Sequence, residues 1–259
     1  MTSEVTPLPR VASLGMYDGG ALTEANDLLW KAMAARATAF GLPDVPAAIE
    51  RATPLEQLWT SERLLFGQTC GYPFASRLHP RVRLLGAPIY ALPGCDGATH
   101  RSFIIVNASS NARGLAGLAG RTAVINEHDS MTGRHLLGDA VVEVGGTSGF
   151  FTSVRVSGSH ANSLAMVALG EADVAAIDCV SYAHLARARP ELVAATRIIH
   201  RSAPTPTLPF VISAACGEVA AFAMAGALAV AVLDPKLEDA HRLLGLVGLR
   251  RIRPIAYAG

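Results

Sequence analysis

Residues 121–137 read RTAVINEHDSMTGRHLL, and the fold turns on how they are divided. RTAVI is a short, β-branched apolar run, the signature of a buried strand. HLLGDAVVEV, from 135, returns to apolar residues at helical spacing. Between them, NEHDSMTGRH (126–135) packs a Ser, a Thr and a Gly into a strand-to-helix turn. One reading is a well-capped helix, with Ser130 as the N-cap. The other is a cradle for an anion, because a helix start offers free N–H groups and the positive end of the dipole. Two hydroxyls, Ser130 and Thr132, would add directed donors, and Gly133 would permit close approach.

The same alternation continues on both sides. SVRVSG is a strand and HANSLAMVALG a helix, and DVAAID is a strand followed by the helix CVSYAHLARA. Strands and helices in this order predict an α/β protein with mostly parallel sheets covered on both faces. Upstream, RVASLG, RLLFGQ, VRLLGAPIYAL and HRSFIIVNA read as strands, and 22–41 as a helix stopped by Gly41 and Pro43. TRIIHRS is a further strand, and SAPTPTLPFVIS a proline-stiffened connector into another. Two helices, about 217–233 and 236–247, are expected to close the chain. The stretch 211–233 is long and apolar enough for a membrane span. Its Ala-rich composition, Glu218 within it and the Asp234-Pro235 stop favour a strand end and a buried helix, so the chain is expected not to span a membrane.

Composition narrows the function. The chain has 259 residues, 51% hydrophobic and 17% charged, with a formal net charge of +1 and no block of like charge. That excludes disorder and argues against nucleic acid as a partner. Four cysteines (Cys70, Cys95, Cys179, Cys216) show no paired metal spacing. They read as small buried hydrophobes, with a Cys70–Cys95 bridge open as an alternative. No HExxH, P-loop or GxGxxG occurs, so no metal and no cofactor is expected. The start, MTSEVTPLPR, has neither the basic residues nor the apolar core of a secretory leader. The chain as written is therefore expected in the cytoplasm, or in the periplasm if a leader belongs before it.

In open α/β sheets ligands bind beyond the carboxyl ends of strands. The residues there are rich in hydroxyls and aromatics, with one His and one Asp. Ser130, His160 and Asp178 also name a hydrolytic triad, but Ser130 is not in a G-x-S-x-G elbow. Each has a bland counterpart: Ser130 and Asp178 as helix caps, His160 as a capping or solvent-facing residue, Tyr17 and Tyr72 as half-buried packing.

INEHDSMTGRHLL, VRVSGSHANSLAMVALGEADVAAIDCVSY and PTPTLPFVIS together resemble the phosphonate- and phosphate-binding solute receptors of ABC transporters, the PhnD-like group. The resemblance runs from about 10 to 215 and is strongest over 120–213. It implies a two-lobe, type II periplasmic-binding-protein-like fold whose lobes close over a small oxyanion. Lobe one would be 10–103 plus 213–259 and lobe two 107–203, with crossovers at 103–107 and 204–212. It also implies a ligand-binding set of Tyr17, Tyr72, Ser130, Met131, Thr132, His160, Asp178 and Tyr182, with Ser130 and Thr132 on the oxyanion. Asp178 and Tyr182 would lie near a ligand amine in aminoalkyl-phosphonate binders. Met131 departs from the group, where a small hydroxyl residue is common, and Glu127 and Asp129 add negative charge beside the site. An ABC transporter permease is the implied partner. The alternative is a leaderless cytosolic enzyme on the same fold, of the kind that makes thiamine pyrimidine or a menaquinone precursor.

Overall fold

The computed structural model describes residues 9–257. The strands are β1 (Val11–Ser13), β2 (Leu64–Gln68), β3 (Val82–Tyr90), β4 (Thr99–His100), β5 (Ser102–Asn107), β6 (Thr122–Ile125), β7 (Ser153–Val156), β8 (Val174–Asp178), β9 (Thr196–Arg201), β10 (Thr205–Pro206), β11 (Phe210–Ser213) and β12 (Leu246–Arg250). The chain divides into two compact units. Unit 1 takes the described residues of Met1–Cys70, Phe74–Pro88 and Leu208–Gly259; unit 2 takes Gly71–Pro73 and Ile89–Thr207.

Unit 1 is built on a five-stranded sheet in the order β1-β2-β11-β3-β12. β1 and β2 run parallel, while β11 is antiparallel to both β2 and β3. All five residues of β2 are buried, as expected of a strand covered on both faces. Trp30, on the helix Ala21–Ala39, stacks on Phe66 with centroids 5.9 Å apart, and Phe66 stacks on Phe210 at 5.3 Å. The apolar stretch flagged for a membrane forms the helix Gly217–Val232. It packs against Ala21–Ala39 and buries Ala220, Ala223, Met224, Ala227, Leu228 and Ala231.

Unit 2 carries a second five-stranded sheet, β7-β6-β8-β5-β9, and the small pair β10-β4. The parallel pairs foreseen in the middle of the chain are β6–β7 and β6–β8. β5 runs antiparallel to β8 and to β9, so the sheets of both units are mixed. The core on one face gathers Ile104, Val106, Leu118, Ile125, Leu137 and Val174.

Two differences from the sequence reading stand out. The segment 103–107, expected as a crossover, forms β5, hydrogen-bonded on both sides within unit 2; the compact units divide at 88/89 and at 207/208, the latter inside the expected 204–212 stretch. An uninterrupted apolar run, FIIV, suits a fully buried interior strand better than a connector. The last helix is Glu238–Leu244, shorter than expected. Gly245 turns it off in the left-handed region at φ 71°, and Leu246–Arg250 becomes edge strand β12.

Candidate functional site

The turn after β6 is organised by Ser130. Its φ and ψ (−75°, 121°) are those of an N-cap, and its hydroxyl accepts from Gly133 N at 3.0 Å. Its carbonyl accepts from the N–H groups of Arg134 and His135, both at 3.1 Å. The first N–H groups of a helix have no carbonyl behind them. With those of Gly133, Arg134 and His135 taken by Ser130, Met131 and Thr132 supply the donors that remain. Gly133 leaves room for the Asn126 side chain: a Cβ there would lie 1.7 Å from Asn126 Oδ1 and push that side chain aside. Ser102, fully buried at the start of β5, donates its hydroxyl to the Thr132 carbonyl at 2.6 Å and pins the turn to the sheet.

His160 begins the helix His160–Ala168, capped by Ser159, whose hydroxyl accepts from Asn162 N at 3.1 Å. Its Nε2 shares a 3.1 Å hydrogen bond with Thr132 Oγ1, so the two hydroxyl-rich helix starts meet. Burial drives the His160 ring below its ordinary pKa, against the pull of Asp178, so the ring is neutral at pH 7. A neutral imidazole accepts the Thr132 proton or donates its own, whichever its tautomer allows.

Asp178 ends β8 and is buried. Its Oδ1 receives Val180 N and lies 3.0 Å from His100 Nδ1; Oδ2 receives the Ser181 hydroxyl at 3.3 Å. Burial is the largest single influence on His100 and opposes its charge. The charge and hydrogen bond of Asp178 together outweigh it, and the pKa is raised. Asp178 is thus at once a helix cap and the buried partner of His100, whose charged form it favours. Tyr182, one turn into the helix Cys179–Ala188, sets its ring edge-on to Phe103 at 5.4 Å.

Tyr72 belongs to the Gly71–Pro73 turn, which groups with unit 2, and its ring stacks on His135 at 3.9 Å. Met131, in the first helical turn after Ser130, is partly exposed. Tyr17 alone of the expected set lies in unit 1. It is buried at the end of a short 3-10 turn, with its carbonyl receiving Asn26 Nδ2 at 2.8 Å. Within unit 2 the structure therefore joins Thr132 to His160 and Tyr72 to His135.

Several polar residues at the strand ends escaped the sequence reading. His100 and Ser102 lie far along the chain from the turns they support, and nothing local marks them. Ser13 and Thr69, at the carboxyl ends of the parallel pair β1 and β2, are buried and their hydroxyls have no protein partner. Thr69 is among the strand-end residues that the sequence itself marks as candidates, whereas Ser13, in the same kind of place after β1, escaped that reading. Among the described residues no group of three or more His, Cys, Asp or Glu is placed to hold a metal.

The model of a family described as "ABC transporter, phosphonate, periplasmic substrate-binding protein" matches residues 66–257. No curated protein sequence matches significantly. Among solved structures, PhnD1 of Prochlorococcus marinus in complex with methylphosphonate superposes with a TM-score of 0.74 at 14% identity, over 96% of this chain and 94% of its own. A binding-protein component of an ABC phosphonate transporter from Pseudomonas aeruginosa gives 0.75 at 15%, over 94% and 81%. XAC2383 of Xanthomonas citri, bound to ATP, gives 0.72 at 18%, over 96% and 92%. These likenesses establish the periplasmic-binding-protein fold; the family match sets aside the enzyme alternative. The chain belongs to the family of phosphonate-binding periplasmic substrate-binding proteins of ABC transporters.

Proposed function

We propose that this protein captures a small phosphonate, phosphate or related oxyanion on the Ser130–Thr132 turn and delivers it to an ABC transporter permease, on the periplasmic side of a membrane. The observation that carries this is the state of the Ser130 hydroxyl. It accepts from Gly133 N, so its own proton is left to donate outward. The cap and the cradle are then one arrangement. The N–H groups of Met131 and Thr132 and the helix dipole add further donors for negative charge. Thr132, already paired with His160, needs only to turn its O–H towards an arriving oxygen, with the neutral ring as second contact.

A phosphonate oxygen carries formal charge, and hydrogen bonds to it are about twice as strong as neutral ones. Isothermal titration with methylphosphonate, phosphate, phosphite and an alkanesulfonate tests the reading. Saturable binding of at least one is expected, weakened roughly 10- to 100-fold in Ser130→Ala with Thr132→Val. Failure of all four to bind, or affinity unmoved in the double variant, refutes it.

A further inference from the structure

Two of the four cysteines stand thiol to thiol. Cys95 Sγ and Cys179 Sγ are 3.6 Å apart within unit 2, both reduced. Cys70 is buried in unit 1, and Cys216 Sγ lies against the Leu64 carbonyl at 3.6 Å. The approach of Cys95 to Cys179 is built into the surrounding backbone. Gly94 has φ +93°, and a Cβ there would fall 2.8 Å from Cys179 Cβ and 2.7 Å from the Phe103 ring. A glycine at 94 is what lets the loop press onto the first turn of the helix Cys179–Ala188. Both backbones are anchored: Cys95 N donates to the Leu92 carbonyl, and Cys179 N to that of Arg101, each at 3.0 Å.

The two sulfurs differ in access. Cys95 is half-buried and Cys179 fully buried, so a reagent from solvent meets Cys95 first and finds Cys179 behind it. Bond formation needs the sulfurs to close from contact to about 2.0 Å, which side-chain rotation and a small loop adjustment supply. We propose that Cys95 and Cys179 are an oxidation site, closed to a reversible disulfide by thiol–disulfide exchange with a low-molecular-weight disulfide such as oxidised glutathione.

The exchange balances as follows. Cys95 gives its proton to solvent and its thiolate attacks one sulfur of the oxidant. The oxidant's S–S bond breaks and one thiolate leaves, to be protonated. Cys179 then loses its proton to solvent and attacks Cys95 Sγ, expelling the second thiolate, which is protonated in turn. Two protein thiols are oxidised and one disulfide is reduced to two thiols. The hydrogen bond with Cys95, burial and the neighbouring Asp178 all hold the Cys179 thiol protonated. The second step is therefore the slower, and it quickens as pH rises. The bridge would tie the 92–96 loop to the residue directly after Asp178, the partner of His100.

The test uses the full chain without any phosphonate, so its outcome is independent of the ligand reading. After incubation with oxidised glutathione at pH 8, intact mass spectrometry under non-reducing conditions should show a loss of about 2 Da. Peptide mapping should join the segments holding Cys95 and Cys179, and dithiothreitol should reverse both. Cys95→Ser should abolish the linkage, while Cys70→Ala with Cys216→Ala should keep it. The oxidised protein should melt roughly 5–10 °C higher than the reduced one, since the bridge closes a long loop. A glutathione adduct that persists on Cys95, a bridge involving Cys70 or Cys216, or an unchanged mass would each overturn the proposal.

Discussion

The strand ends of the two units are furnished alike and finished differently. In unit 2, after β6 and β8, Ser130 is bound to Gly133, Thr132 to His160, and Asp178 to His100, Val180 and Ser181. In unit 1, after β1 and β2, the buried hydroxyls of Ser13 and Thr69 have no protein partner. The first edge has its polar groups committed to one another, which fixes their directions. The second keeps two hydroxyls uncommitted, so removing them should cost the fold nothing.

Breaking the committed edge should show most at Asp178. Asp178→Ala strips His100 of its counter-charge and the helix of its cap, and should destabilise unit 2 by about 3–5 kcal/mol in chemical denaturation. A loss below 1 kcal/mol would mean that the pair is incidental. Acid should separate the units next. Burial, followed by the charge of Arg187, pushes His184 down to about 4, and burial also lowers His135 and His160, all three in unit 2. In unit 1 the corresponding group is His241. Each resists protonation when folded but accepts it when unfolded, so their contribution is full above pH 6.5 and falls as the pH drops. His184 alone accounts for on the order of 2 kcal/mol. His100, raised, has the opposite sign: its contribution is complete below pH 6.5 and fades as the pH climbs through its folded value. Denaturation curves from pH 4.5 to 9 should therefore bend at both ends, and His100→Gln should remove the alkaline bend only.

Gly133→Ala sharpens the comparison at a single carbon. With Asn126 Oδ1 1.7 Å from the new methyl group, the Asn126 side chain must swing aside beneath the Ser130 cap, at a cost of about 1 kcal/mol and with weakened phosphonate binding in calorimetry. Smallest is Thr69→Val, which removes one uncommitted hydroxyl and keeps the shape. Its stability should stay within about 0.5 kcal/mol of the parent. A clear loss would show that Thr69 has a partner in solution and that the two edges are more alike than their hydrogen bonds suggest.

Much of the framework was legible because it is local. The strand–turn–helix at 121–143 announces itself through β-branched residues, a Ser cap and helical spacing. The parallel β6–β8 pair follows from the βαβ rhythm. What escaped reading depends on distant partners. His100 meets Asp178 across 78 residues, and Cys95 meets Cys179 across 84. Neither pairing leaves a mark in the spacing of nearby residues. β12 was hidden for a different reason: LVGLR follows an apolar helix, and only the left-handed Gly245 separates them. β5 was legible as a strand from its apolar run, and only the resemblance assigned it to a crossover, because nothing local in the sequence says in which unit a buried strand lies.

The Ser130 hydroxyl has one more consequence, for what selection is able to see. As a helix cap, aspartate serves as well as serine, so Ser130→Asp keeps the acceptor for Gly133 N that organises the turn. It would also put a fixed negative charge where the proposed anion sits. Screens that score only folding would rank this change as harmless, and only a screen for uptake or binding would reject it. Position 130 is thus one where stability and purpose ask different questions of the same side chain.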